Sequence, residues 1–301
     1  MSQPVPDRVF AAILLRLGSV LVFAAMNAVI KLAEAGGAKL GEVMFFRQSF
    51  ALVPVVLYIA LGPGLATIAT KRIGAHMLRT AMGLVSMVFV FSTILLLPLA
   101  ESTTLQFTLP IWATILSALL LREAVGWHRW GAVVAGFAGV LIITRPGAEM
   151  AGLGIFTGLM GALLSASVAI LLRQIGKTES AATTVFWFSA LSLPPTGIAL
   201  ALQVAAHPFA TWGWLMLVGL LGGIAQLLMT ASLKLGPVSL VVPMDYTGLI
   251  WATLLGWALF GAFPSWSTWA GAPFVIGSGL YILWREQVRA RENTERALAM
   301  P

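Results

Sequence analysis

Apolar runs of roughly 20 residues follow one another along the chain, separated by short clusters of polar, glycine and proline residues. At 1.5 Å per residue such a run matches the ~30 Å hydrocarbon core of a bilayer. The pattern predicts membrane-spanning helices at 13–33, 42–61, 76–97, 100–121, 130–144, 152–172, 184–205, 212–233, 237–260 and 267–284. Breaks fall at turn signals: Gly62-Pro63-Gly64, Arg145-Pro146-Gly147, Gly236-Pro237 and Phe263-Pro264-Ser265. The fifth run is short and must be extended by its flanks or lie tilted. The N-terminus does not read as a cleavable signal peptide, because its apolar stretch continues past Arg16 to Ile30 with no small-residue cleavage site after it.

Composition agrees with a lipid-embedded chain. Of 301 residues 59% are apolar and only 10% charged, against about 25% charged in soluble domains. A soluble domain of this size could not cover so much apolar surface. The absence of cysteine excludes disulfides, thiolate metal sites and cysteine nucleophiles. A net charge of +7 would suggest nucleic acid in a soluble protein. Here the basic residues lie in loops and the tail, so they orient the chain and no nucleic-acid partner is expected. Arg8, Lys71, Arg72, Arg122, Arg129, Arg173, Lys177, Lys234, Arg285, Arg289, Arg291 and Arg296 fall on the side shared by both termini, and Lys31, Lys39 and Arg145 on the other. The positive-inside rule then places both termini in the cytoplasm.

An internal repeat organises the whole chain. Residues 98–130 align without gaps on 237–269, with ten of 33 positions identical, where composition alone gives roughly two or three. Phe107-Thr108-Leu109-Pro110-Ile111-Trp112-Ala113-Thr114 meets Tyr246-Thr247-Gly248-Leu249-Ile250-Trp251-Ala252-Thr253, and Pro98, Trp127 and Trp130 meet Pro237, Trp266 and Trp269. The offset is half the chain, so spans one to five and six to ten are two copies of one unit. An odd number of spans inverts the second copy. The charges agree: Arg122, Glu123, His128 and Arg129 have uncharged partners Gly261, Ala262, Ser267 and Thr268. The expected organisation is a cytoplasmic N-terminus (1–12), two inverted five-helix repeats (13–147 and 148–284) and a charged cytoplasmic tail (285–301), forming a surface helix or disordered. The fold class is an all-α polytopic membrane protein, and inverted repeats with a midplane site mark secondary transporters.

With these features the chain resembles the drug/metabolite transporter superfamily, in its EamA-type branch. The resemblance runs over nearly the whole chain. It rests on Phe46-Arg47, His76-Met77-Leu78-Arg79, Pro98-Leu99-Ala100-Glu101, Pro110, Leu121-Arg122-Glu123 and Gly136-Phe137-Ala138-Gly139-Val140 before Arg145-Pro146-Gly147. Within the superfamily it is most similar to the bacterial group that includes riboflavin and S-adenosylmethionine uptake carriers. The second copy departs from the pattern, with Leu249 in place of Pro110 and no acidic residue matching Glu123. What the resemblance implies is uptake of a planar heteroaromatic solute such as riboflavin across the inner membrane. Export of amino acids or other amphiphilic metabolites is the alternative.

Charge inside a span is costly, so it points to function. Asp245 lies eight residues into its span, ~12 Å deep and near the midplane. It is either a proton- or cation-binding carboxylate at the substrate site or a buried structural ion pair. Gln106, its repeat partner, shares a face with Thr103, Pro110, Ala113, Thr114 and Ser117, matched by Asp245, Leu249, Ala252, Thr253 and Gly256. These stripes line a central cavity or pack helices through small residues. Phe107 and Tyr246, adjacent to them, stack on a planar solute or simply pack. Trp112 and Trp251 point elsewhere and read as packing or lipid-facing. Arg47 binds a substrate anion or pairs with Asp245. Arg79 snorkels or joins Gly83, Ser86 and Val90 on the same cavity. Asn27 and Gln226 are lesser polar candidates, and Gly219, Gly222 and Gly223 permit close helix packing.

No Walker motif, metal spacing or Ser/His constellation is present, so neither an enzyme nor a cofactor is expected. A non-transporting scaffold or an intramembrane enzyme are remote alternatives. The partners implied are a small-molecule solute, the bilayer and, for coupling, most simply protons; a homodimer is an open alternative. Reporter fusions test the topology. A fusion after Pro301 is expected to report the cytoplasm and one near Ala148 the outside; the opposite result at either point overturns the inside-inside or the odd-span assignment.

Overall fold

The computed structural model describes residues 6–120, 126–144, 152–176, 178–235 and 241–298. Among these residues all regular structure is helical, because in hydrocarbon a helix satisfies its own backbone donors and acceptors. The elements are α1 (Pro6–Ala35), α2 (Leu40–Leu61), α3 (Ile73–Leu96), α4 (Leu99–Gln106), α5 (Leu109–Leu120), α6 (Trp127–Thr144), α7 (Gly152–Ile175), α8 (Ala181–Gln203), α9 (Phe209–Leu235), α10 (Gly248–Phe260) and α11 (Trp266–Leu298), with 3₁₀ turns at Leu65–Ile68 and Val242–Thr247. Among the described residues six helices, within α1, α2, α3, α7, α8 and α9, are long and apolar enough to cross a membrane. Their outward faces carry large exposed apolar residues such as Leu61, Leu202 and Phe209, the surface a bilayer covers. The turn signals Arg145-Pro146-Gly147 and Gly236-Pro237 and the motif Leu121-Arg122-Glu123 lie outside the described residues.

Two expected spans are discontinuous. The run at 100–121 is interrupted at Phe107 and Thr108, between α4 and α5. Pro110, in the first turn of α5, has no N–H to donate and its ring crowds the carbonyl four residues back, so an unbroken helix is not available there. The run at 237–260 is described from Val241, and Val242–Thr247, containing Pro243, winds as 3₁₀ before α10 begins. Where a separate tail was expected from 285, α11 continues as one helix to Leu298.

The helices pack in reciprocal pairs. α1 lies along α9 and α3 along α7; α2 faces α8, and α6 faces α11. Glycines let α6 and α11 approach at backbone distance: a Cβ on Gly139 would lie 2.8 Å from the carbonyl of Gly271. α10 ends at Gly261, whose φ of 62° is left-handed, so that the amides of Gly261 and Ala262 return to the carbonyls of Trp257 and Gly256.

Two buried glutamates hold helix ends together. Glu42, fully buried, accepts from the amides of Lys39 (2.8 Å) and Ala205 (3.3 Å) and lies 2.7 Å from Nε2 of His207. This ties the start of α2 to the loop before α9. Glu101 accepts from the amide of Ser265 (3.0 Å) and the hydroxyl of Thr268 (3.1 Å), fastening α4 to the first turn of α11. Hydrogen bonds to a buried charge are each worth about 1.5–3 kcal/mol. Glu101→Ala is therefore expected to lower the unfolding free energy by about 2 kcal/mol or more, followed by tryptophan fluorescence in detergent. Leu202→Ala, on the exposed face, is expected to change it by less than about 0.5 kcal/mol.

Candidate functional site

The site is built around α1. Arg16, Phe23 and Asn27 recur at helical spacing and, with Ser19, form a stripe on its inner face. Opposite them stands the 3₁₀ turn Val242–Thr247, which carries Asp245. Arg16 donates to both carboxylate oxygens of Asp245, through Nε to Oδ1 and through Nη2 to Oδ2. This two-point fork is the strongest geometry available to such a pair. The Arg16 side chain is 8% exposed and that of Asp245 37%, so the carboxylate fronts open space while the guanidinium is held behind it.

That space is a cavity of about 220 Å³, lined among others by Arg16, Asn27, Thr103, Phe107 and Asp245. Thr103 and Phe107 come from the end of α4, where the helix breaks. A second cavity of about 350 Å³ lies beyond, lined by α1, α2, α3, α7 and α8. Phe23 and Asn27 line both. The second cavity receives Arg47, Arg79, Gly83, Ser86 and Val90, and a hydrogen bond of 2.9 Å joins Ser86 to Ser165 across it. The guanidinium carbon of Arg79 sits 3.5 Å from the centre of the Phe188 ring, a cation–π contact.

The structure thus brings Asn27, Asp245 and Phe107 to one cavity and Asn27, Arg47 and Arg79 to the other. Gln106, Tyr246 and Gln226 line neither. Gln106 turns toward Gly161 of α7, with Nε2 buried and unpartnered. Tyr246 stands behind Phe107, its ring edge-on at 5.0 Å, and its unpartnered hydroxyl is lodged against Gly279 of α11. Trp112 packs edge-on against Phe137 at 5.2 Å.

Asp245 is paired with Arg16 and not, as one sequence reading had it, with Arg47. Sequence reasoning passed over Arg16, although the signal was there: a cation inside an apolar run, seven and eleven residues before Phe23 and Asn27. Ser165 was passed over too, since serine in a membrane helix is common and bonds its own backbone.

Known proteins share this architecture. Residues 10–145 and, separately, residues 152–284 match the EamA-like transporter family. The chain is 28% identical over 277 residues to the riboflavin transporter of Vibrio cholerae serotype O1, covering 91% of this chain and 93% of that one. It is 26% identical over 253 residues to the S-adenosylmethionine uptake transporter of Rickettsia bellii, covering 82% and 84%. It is also 26% identical over 277 residues to the pseudopaline exporter CntI of Pseudomonas aeruginosa, covering 90% and 95%. A crystal structure with 20% sequence identity has the same fold, with a TM-score of 0.58 over 90% of this chain and 96% of the other. Long apolar helices around a polar interior, and a family match spanning most of the chain, lead to one conclusion: this multi-pass membrane protein belongs to the EamA-like transporter family.

Proposed function

We propose that the protein is a secondary transporter of the bacterial inner membrane, moving a small organic metabolite by alternating access. In this reading ten spans form two inverted five-helix repeats, with both termini cytoplasmic. One observation carries it. The break between α4 and α5 and the junction between the 3₁₀ turn and α10 fall at matching positions of the sequence repeat, 108/109 and 247/248. Discontinuous helices that meet at the bilayer midplane are where such transporters bind their solute. Here Phe107 and Tyr246, the repeat partners at the two breaks, touch ring to ring.

The packing supports the same reading. Exchanging the two halves turns the pair α1 and α9 into α7 and α3, and leaves α2 with α8 and α6 with α11 facing their own counterparts. Two family matches of similar length, one per half, are what duplication produces.

Phe107 brings an aromatic ring to the lining of the smaller cavity, and the Tyr246 ring packs against it. This favours uptake of a planar heteroaromatic solute such as riboflavin, in line with the similarity to riboflavin transporters. Export of an amphiphilic metabolite is the second reading, favoured by similarity to a pseudopaline exporter. Asp245 is the coupling group. Protonation would cancel its charge and release Arg16, so proton and solute occupancy become linked wherever the two conformations hold the pair differently.

Three measurements bear on this. A thermal-shift screen of the purified protein against flavins, nucleosides, S-adenosylmethionine and amino acids is expected to single out the flavins, since a ligand stabilises the state it binds. Phe107→Ala is expected to weaken riboflavin binding by about 1–2 kcal/mol, or roughly 5–30-fold, whereas Trp257→Ala on the exposed face leaves it unchanged. Asp245→Asn is expected to bind and exchange solute yet lose pH dependence and concentrative uptake in proteoliposomes. Wild-type accumulation across pH in that variant would sink the coupling role. Because the substitution strands a buried Arg16, Arg16→Gln/Asp245→Asn serves as the charge-balanced control and is expected to lose the same properties.

A further inference from the structure

The larger cavity holds two arginines, and no acidic side chain among the described residues lines it. Arg47 and Arg79 are each 7% exposed. Nε and Nη1 of Arg79 are buried without a hydrogen-bond partner, and Arg47 makes no hydrogen bond or ion pair among the described residues. Arg16, by contrast, is matched by Asp245 in the neighbouring cavity. Two buried cations sharing one space repel each other and have each lost their hydration. Such an arrangement is stable in proportion to what an anion supplies.

Both guanidiniums sit in prepared places. Gly222 of α9 clears the room that Arg47 occupies, since a Cβ there would run into its Nε and lie 2.7 Å from its Cζ. Gly83 does the same for Arg79, where a Cβ would lie 2.8 Å from Nη1 and 2.9 Å from the Phe188 ring. Stacking on Phe188 fixes the plane of the Arg79 fork and uses none of its N–H donors. A planar fork with free donors is the geometry that takes a carboxylate or phosphate in two-point fashion.

We infer that the space between Arg47 and Arg79 is an anion subsite, and that the transported solute docks a carboxylate or phosphoryl group there. This subsite presupposes the transporter reading above and narrows its substrate class. Phe23 and Asn27 line both cavities, so a solute that displaces that pair would place its anionic end between the arginines and its apolar body toward Phe107.

Matched pairs test it. Affinities of the full-length protein are measured for nicotinamide and nicotinate, and for riboflavin and riboflavin 5′-phosphate, in phosphatidylcholine nanodiscs. The anionic member is expected to bind at least ~10-fold tighter in at least one pair. Arg47→Gln or Arg79→Gln is expected to shrink that preference below ~3-fold. Gly222→Ala, which keeps both charges but displaces Arg47, is expected to shrink it as well. Inorganic phosphate is expected to raise the melting temperature of the wild type and not of Arg79→Gln. The wild type alone is decisive if the variants fail to fold: no preference in either pair and no response to phosphate overturn the subsite. Loss of the preference on adding phosphatidylglycerol to the nanodiscs would assign the arginines to a lipid headgroup and also overturn it. Flux in proteoliposomes separates the two readings. Transport of riboflavin or nicotinamide with no gain for their anionic partners sinks the subsite and leaves the transporter. Arginine-dependent anion binding with no flux of any of the four keeps an anion site and overturns its assignment to a transported solute of this class.

Discussion

In hydrocarbon there is no water to take up an unpaired backbone N–H or C=O, and nearly every feature of this protein follows from that constraint. It forces the chain into helices, and it restricts irregular backbone to places shielded from lipid. The interruptions at Phe107–Thr108 and Val242–Thr247 obey it, because both segments line or adjoin the interior cavities. A proline lies close to each, so the freed carbonyls arise where protein packs around them. The cost of breaking a helix is thus confined to positions beside an interior cavity, lined by Phe107 and Asp245.

The same constraint sorts the charged side chains. Glu42 and Glu101 are buried but accept several hydrogen bonds, and they act as fasteners between helix ends. Arg16 and Asp245 neutralise each other across the interface of the two halves, α1 in one and the 3₁₀ turn in the other. Arg47 and Arg79 are the exception. Their desolvation has no compensation from a described carboxylate, which sets the larger cavity apart from the smaller one in the charge it would accept.

Packing without a hydrophobic drive between lipid-facing helices depends on close approach. Glycine supplies it here in two distinct ways. Gly139 and Gly271 bring the backbones of α6 and α11 together, a purely structural use. Gly83 and Gly222 instead vacate space for guanidiniums. The two uses look alike in sequence, since each is a small residue in an apolar run, and only the identity of the neighbouring atoms tells them apart.

Much of this was legible in the sequence. Runs of roughly 20 apolar residues suffice for membrane helices, because bilayer thickness and helical rise leave no other reading. The half-chain repeat around Trp112 and Trp251 is visible because matching residues keep their order at a fixed offset. That Asp245 lies inside an apolar run follows from counting residues. What counting cannot supply is azimuth and neighbourhood. Tyr246 and Gln106 look as favourable as Phe107 on a helical wheel, and more so than Asn27, yet the wheel assumes an unbroken helix, and both sit where the helix changes pitch or ends. The rotation introduced there carries Tyr246 against Gly279 and Gln106 against Gly161. The partner of Asp245 lies 229 residues away, and whether it is Arg16 or Arg47 depends on which helix faces the turn. Helix positions within the chain were therefore determined by local hydrophobicity, while the pairing of charges was decided only by tertiary packing, because in a low-dielectric interior the nearest opposite charge wins and distance in space is not written in distance along the chain.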